Sequence, residues 1–473
     1  MGLQELAQDV AHGVETRLAS VTESLFDPVI RLGVTGLARA GKTVFITSLV
    51  SNLMDRGRMP QLRAAAEGRI EAVWLQPQPD DTVARFDYEG HRAALTGDAP
   101  RWPDSTRAVS ELRLSFRLRP SGLLGGLRGP KRLHLDIIDY PGEWLLDLTL
   151  LDKGYQDWAA QVLDRLARRP EGAAYLARVQ AADAAARLDE AQAQGLAADY
   201  TACLSALRAA GLSDVTPGRF LMPGDLAGSP ALTFAPLPRP DNPPRGSLWR
   251  EMERRYDAYR TRVVRPFFRD HFARIDRQVV LVDALGAIHN GPAAVEDLRR
   301  TLADVLTAFR PGRNGVLAEL VRGRRVERIL FAATRADHLH HTQHPRLAAI
   351  LAALLREAKD RADFAGAETA AMAIASLRAT TEAEVPVAGG RMVQGVRGTL
   401  LSTGRQALMY AGELPADPAR LLSPAREGAE GWLDADYAVM TLAPARMALV
   451  PGEGLPHIRL DRAAEFLLGD RLR

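Results

Sequence analysis

At 473 residues the chain is too long for one ordinary hydrophobic core, which implies several domains or one domain carrying large insertions. Hydrophobic residues at 47% and charged residues at 25% exclude a collagenous or disordered chain. The net charge of +3 comes with no long basic run, so the pI near 9.1 gives no nucleic-acid footprint.

Cys203 is the single cysteine, which excludes an internal disulfide and fits a reducing cytoplasm. No stretch reaches the ~18 consecutive apolar residues of a membrane helix, so no transmembrane segment is expected. Any contact with the inner membrane would be peripheral or through a partner protein.

In chain order, Leu3, Leu6, Val10, Val14, Leu18 and Val21 predict an amphipathic helix, docked on the core or lying on a membrane surface. Residues 29–35 form an apolar run of strand length that feeds a glycine-rich loop and a helix from Thr43 to about Asp55. Strands are predicted at residues 111–118, where Leu112, Leu114, Phe116 and Leu118 alternate with polar residues, and at 133–138, ending at Asp139. An alanine- and arginine-rich helical pattern then runs to about Arg277, broken by Pro217 and a proline-rich loop over 230–244.

Further strands are predicted at 279–282, 328–333 and 371–375. Strands alternating with helices argue for an α/β fold with a mainly parallel sheet. Beyond residue 384 come a Gly389-Gly390 turn, an alternating strand around Tyr437 to Leu442, and a final helix at 461–468. The expected division is an N-terminal helix (1–28), a core (29–144 with 277–383), a helical insertion (145–276) and a C-terminal α+β extension (384–473).

Gly36-Leu37-Ala38-Arg39-Ala40-Gly41-Lys42-Thr43 fits G-x-x-x-x-G-K-[ST] and lies between an apolar strand and a helix, where a phosphate-binding loop belongs. Gly36 and Gly41 let successive amides turn inward as a nest of donors, and the helix N-terminus adds its dipole. Lys42 would reach the β- and γ-phosphates and the Thr43 hydroxyl would ligate Mg²⁺. The backbone of Ala40 and Val44 belongs to the same cradle. The chain has only four lysines, Lys42, Lys131, Lys153 and Lys359, so a lysine in this loop stands out. A compact ammonium fits a tight ring of amides where a guanidinium fork would not.

Asp139-Tyr140-Pro141-Gly142 follows the third strand. Asp139 is the expected Mg²⁺ carboxylate, and the Gly142 amide is placed to sense a γ-phosphate. Thr334-Arg335-Ala336-Asp337, also at a strand end, resembles the [NT]-Lys-x-Asp element of GTPases. One carboxylate can accept both N1–H and the N2 amine of guanine, so Asp337 would select that base. Arg335 replaces the usual lysine and can stack on the base as well. Ser376-Leu377-Arg378 loosely resembles the Ser-Ala-Lys element at guanine O6. The order of the four elements is that of GTPases.

The string at 36–50 resembles the bacterial YcjX-like family, as do Trp102-Pro103-Asp104-Ser105-Thr106, Asp139-Tyr140-Pro141-Gly142-Glu143-Trp144, Val282-Asp283-Ala284-Leu285, Thr334-Arg335-Ala336-Asp337-His338 and Pro456-His457-Ile458-Arg459-Leu460. The resemblance covers essentially the whole chain. It implies a Ras-like P-loop GTPase core with GTP or GDP and Mg²⁺, extra helical and C-terminal parts, and an association with envelope stress of the phage-shock type. A switch role would require a protein effector, which could be a membrane protein. It also implies a first switch at Trp102, Ser105, Thr106 and Arg107, with Thr106 closing over Mg²⁺ and Ser105 as the alternative.

Glu143 occupies the position from which GTPases orient the attacking water, but a carboxylate there would repel the γ-phosphate, so slow hydrolysis is expected. Arg39 could lend positive charge in cis or face solvent. His338, at the base-reading loop, joins the candidate binding residues. An ATPase and a scaffold whose nucleotide is never hydrolysed remain the rival readings. His338, His340, His341 and His344 cluster within seven residues, with His340 and His344 at helix-face spacing. A zinc site there would need ligands from elsewhere in the chain.

Overall fold

The first strand, β1 (Val29–Gly36), is central to the sheet, and its buried apolar residues Ile30, Leu32 and Val34 all serve one core. The structure is a computed structural model that describes residues 27–36, 40–104, 108–120, 131–308, 326–364, 367–427 and 440–473. The expected N-terminal amphipathic helix lies outside the described residues, as do Arg39, Ser105, Thr106 and Arg107.

The main sheet adds β2 (Ile70–Gln76), β3 (Ala84–Arg85), β4 (Ser110–Leu118), β5 (Lys131–Asp139), β6 (Arg277–Val282), β7 (Arg328–Ala333) and β8 (Glu368–Ala373). Its order is β2-β4-β5-β1-β6-β7-β8, with the short β3 beside β4. β1 runs parallel to β5 and β6, and β6, β7 and β8 continue in parallel. β4 is antiparallel to β5, and β2 is antiparallel to β4. The fold is therefore α/β with a mainly parallel sheet and one antiparallel wing, as a Ras-like core requires.

A sheet covered on both faces needs apolar residues on both sides of each strand. Val279 and Leu281 of β6 and Leu330 and Ala332 of β7 join one core with Phe45, Leu49 and Leu467. Val280, Val282, Ile329 and Phe331 point the other way, into a core shared with the helical insertion. The first core is capped by the Lys42–Asp55 helix and by the last helix, Leu460–Leu468.

The Gly142–Asp147 helix leads into the insertion, which includes Tyr155–Ala167, Ala173–Ala181, Glu190–Ala209 and Leu248–Tyr259. Its centre is aromatic: Trp158 stacks on Tyr256 with centroids 4.8 Å apart, and Phe234 meets Trp158 and Tyr256 edge-on. The proline-rich loop is part of this core. Phe234, Ala235 and Leu237 are buried, and the hydroxyls of Tyr155 and Tyr175 donate to the carbonyls of Ala235 and Pro236, each at 2.8 Å.

The C-terminal part forms a second, antiparallel sheet of β9 (Thr381–Pro386), β10 (Met392–Thr399) and β11 (Gln406–Met409). The Gly389-Gly390 turn joins β9 to β10, with φ of 82° and 75°, values a side chain would oppose. β2 and the β9–β11 sheet were not legible as strands, and β8 starts three residues before the predicted 371. Most of the strand expected around Tyr437 to Leu442 lies outside the described residues, though Leu442 bridges to Leu400. Among the described residues no helix is long and apolar enough to cross a membrane.

Candidate functional site

The C-terminal end of β1 runs into the glycine-rich loop, and Gly41 caps the following helix with φ 81° and ψ 34°. That left-handed geometry is why a glycine stands there. No side chain caps the helix at this end. Gly36 is required for a different reason: a Cβ there would lie 3.0 Å from the Leu281 Cβ and 3.1 Å from the Ala40 Cβ.

Beside this loop lies a cavity of about 350 Å³. One wall is Ala40, Gly41, Lys42, Thr43 and Val44. The opposite end is Thr334, Arg335, Asp337 and His338, with Ala375, Ser376 and Leu377 beside them. The phosphate-loop, Thr-Arg-Ala-Asp and Ser-Leu-Arg motifs, separated by almost three hundred residues, thus meet around one volume because their strands end on the same edge of the sheet.

The far end is held in detail. Arg335 has φ 59°, a left-handed turn that closes the strand end, and its guanidinium meets Asp283 at 3.0 Å. Asp283 also accepts from the Gly286 amide at 3.0 Å and so caps the helix after β6. The Asp337 carboxylate accepts from the Ala379 amide at 2.9 Å, and Thr380 Oγ1 donates to the Asp337 carbonyl. Burial pushes the His338 imidazole below its ordinary pKa. The Ser376 loop is braced by the chain end: Ala375 and Ile458 exchange backbone bonds of 3.1 and 2.8 Å, and Arg378 N donates to Pro456 at 2.8 Å.

A family comparison reads the same chain independently. Residues 30–472 match the YcjX-like family, DUF463. The chain belongs to the YcjX-like family. It is 38% identical over 461 residues to the Ras-like GTPase YcjX of Escherichia coli K12, covering 94% of this chain and 97% of that protein. To the Ras-like GTPase YcjX of Shewanella oneidensis MR-1 it is 35% identical over 487 residues, covering 98% of each chain.

Within this YcjX-like chain the cavity also takes residues outside the phosphate-loop and Thr-Arg-Ala-Asp motifs. Trp102, Pro103 and Asp104, from the stretch expected to hold the first switch, line it, as do Met440, Thr441 and Leu442. Trp102 Nε1 donates to the Leu442 carbonyl at 2.7 Å, which links the two walls. The segment at 440–443 reaches the cavity because it pairs with the end of β10: Leu401 N donates to Thr441 at 3.0 Å and Ala443 N to Thr399 at 2.8 Å. No local pattern announces that path.

The second motif stands differently from the first. Asp139 is buried at the end of β5, in register with Val34 of β1 and so next to the start of the loop. Gly142 is buried as the first residue of its helix and is not among the described residues lining the cavity. Glu143 corrects the sequence expectation most clearly. Its carboxylate turns into the insertion, where Oε1 meets Arg208 at 3.1 Å, and it does not line the cavity. Gly218 packs so tightly on its backbone that a Cβ there would fall 2.3 Å from the Glu143 carbonyl. In this arrangement Glu143 serves the insertion and not the cavity.

Proposed function

We propose that the chain binds GTP and GDP and hydrolyses GTP slowly, as a nucleotide-dependent switch. One observation carries the reading: an uncapped helix N-terminus with Lys42 and Thr43 at one end of the cavity, and the Asp337 carboxylate with Arg335 at the other. The first end suits a chain of phosphates and the second a base with two adjacent donors. The names of the E. coli and Shewanella relatives, both Ras-like GTPases, support the same choice.

The roles follow the cavity. Gly36, Ala40, Gly41, Lys42, Thr43 and Val44 would cradle the phosphates, with Arg39 beside them. Arg335 would lie along the base, Asp337 would read it, and His338, Ser376 and Leu377 would complete its pocket. Thr43 and Asp139 offer hydroxyl and carboxylate oxygens, the hard donors Mg²⁺ prefers, with Thr106 as a third from the first switch. Mg²⁺ there would neutralise charge on the phosphates. Trp102, Ser105, Thr106 and Arg107 would close over the nucleotide. With Glu143 held by Arg208 no side chain of the second motif is poised on water, and this supports slow turnover. The setting, envelope stress with a protein effector, rests on the family resemblance.

The test is base selection. Fluorescent GTP and ATP analogues titrated side by side should show a guanine preference. Asp337→Asn should erode it and gain affinity for xanthosine triphosphate, whose carbonyl at position 2 matches the amide donor. Equal GTP and ATP affinity in the parent chain would favour the ATPase reading, and a variant that keeps full GTP affinity would remove Asp337 from the base.

A further inference from the structure

Beyond the cavity, the loop after β7 meets the first strand of the C-terminal sheet at three groups with the chemistry of metal ligands. His341 Nδ1 lies 3.0 Å from Glu382 Oε2, and His340 Nε2 lies 3.5 Å from the same oxygen. One ligand atom from each of the three residues can be chosen so that all lie within 4.8 Å of one another. An ion needs about 2.0–2.2 Å to each nitrogen or oxygen, so small side-chain rotations would close this set around one centre.

The three groups are held in place by other contacts. His340 Nδ1 lies 2.9 Å from Thr342 Oγ1 and accepts from the Thr342 amide at 3.5 Å, which fixes the ring with Nε2 toward Glu382; ligation through Nε2 would put the ring proton on Nδ1, to donate to Thr342 Oγ1. Glu382 is fixed by the backbone of the same loop, since His341 N donates to Oε1 at 3.0 Å. The two imidazole rings lie side by side, their centroids 4.2 Å apart. His340 is buried while His341 and Glu382 are exposed, which gives an ion a way in and leaves a coordination position for water. His344, which its spacing paired with His340, is instead buried with Nε2 3.2 Å from the Leu339 carbonyl.

We propose that His340, His341 and Glu382 form a three-ligand site for Zn²⁺, with water completing the coordination. Two imidazoles and one carboxylate suit a borderline ion of this kind, whereas Mg²⁺ and Ca²⁺ prefer oxygen alone. The ion would pin the loop carrying Asp337 to β9, on the same two segments that Ala379 and Thr380 already join to Asp337. The site stands independently of the nucleotide assignment, because none of its ligands lines the cavity.

The experiment is calorimetric titration of Zn²⁺ into the untagged, chelator-treated full chain, with Co²⁺ absorption as a second reading. One equivalent should bind, and bound Co²⁺ should give the visible bands of a low-coordinate site with nitrogen ligands. His340→Ala and Glu382→Gln should each weaken binding at least tenfold and bleach the Co²⁺ bands. Glu382→Gln keeps an acceptor for the His341 amide, so it separates loss of a ligand from loss of the fold. Absence of stoichiometric uptake would mean a hydrogen-bonded ion pair only and would overturn the proposal. Uptake unchanged in both variants would overturn it too, by placing the ion elsewhere.

Discussion

Lys42 lines the cavity at the helix N-terminus, in a chain whose 61 basic residues are nearly all arginine. Removing a cation from a phosphate in a partly desolvated site costs about 2–5 kcal/mol. Lys42→Ala should therefore weaken guanine-nucleotide binding by about thirtyfold or more while leaving the fold intact, since its side chain supports no core. Calorimetry with GDP checks this, and equal affinity in parent and variant would detach the loop from the phosphates. Arg335 shows how a single neighbour sets a residue's task. The carboxylate of Asp283, which also caps the helix after β6, holds the guanidinium 3.0 Å away where Arg335 lines the cavity.

The Gly142–Asp147 helix joins the second motif to the insertion, and both of its acids face away from the cavity. Glu143 pairs with Arg208 of the Glu190–Ala209 helix. Glu143→Gln should leave GTP turnover within about twofold and loosen the docking by about 1 kcal/mol, a modest figure because Arg208 is partly exposed. Hydrogen exchange should quicken in the two helices. A tenfold change in turnover with unchanged exchange would restore Glu143 to the chemistry.

Asp147 is fully buried, accepting from Tyr259 OH at 2.6 Å and from the Gly218 amide at 2.7 Å. Burial outweighs these bonds and pushes its carboxyl up to about 6 from 3.8. The folded state therefore holds this proton more tightly than the unfolded chain. The group's contribution is full below about pH 4 and is lost as pH rises through about 6, a difference of about 3 kcal/mol. Asp147→Asn removes the charge, and its amide can accept from Gly218 N and, with the Tyr259 hydroxyl turned to accept, donate to Tyr259. Denaturation from pH 4 to 8 should show a flatter profile and at least parental stability at pH 8; a variant less stable at pH 8 would mean that the carboxylate itself is needed.

At the scale of the molecule, the end of the chain is part of the central core. Leu460, Ala463, Ala464, Leu467, Leu468 and Leu472 are buried against the sheet beside Phe45 and Leu49. Arg277, buried at the start of β6, meets Asp470 at 2.7 Å. The final helix therefore belongs structurally with the sheet, although sequence order groups it with the C-terminal extension. Leu467→Ala should cost about 2–5 kcal/mol, as for other buried leucines, and shift the denaturation of the nucleotide site along with it. If only the β9–β11 sheet were to loosen, the helix would not be integral to the core.

The sequence by itself determined what depends on local order. β1, β4, β5, β6 and β7 carry apolar runs or alternation of strand length, Gly41 needs its left-handed turn, and the glycine-rich loop lies between its strand and helix. Each follows from side-chain period or backbone sterics within a few residues. Tertiary structure alone decided which way Glu143 points, since its partner Arg208 is sixty-five positions away and either a cavity or an insertion could have taken the acid. It also brought Met440, Thr441 and Leu442 over the cavity and set Glu382 beside His340 and His341. Those contacts depend on how the β9–β11 sheet docks. Docking is fixed by long-range packing, which leaves no periodic mark on the residues it brings together.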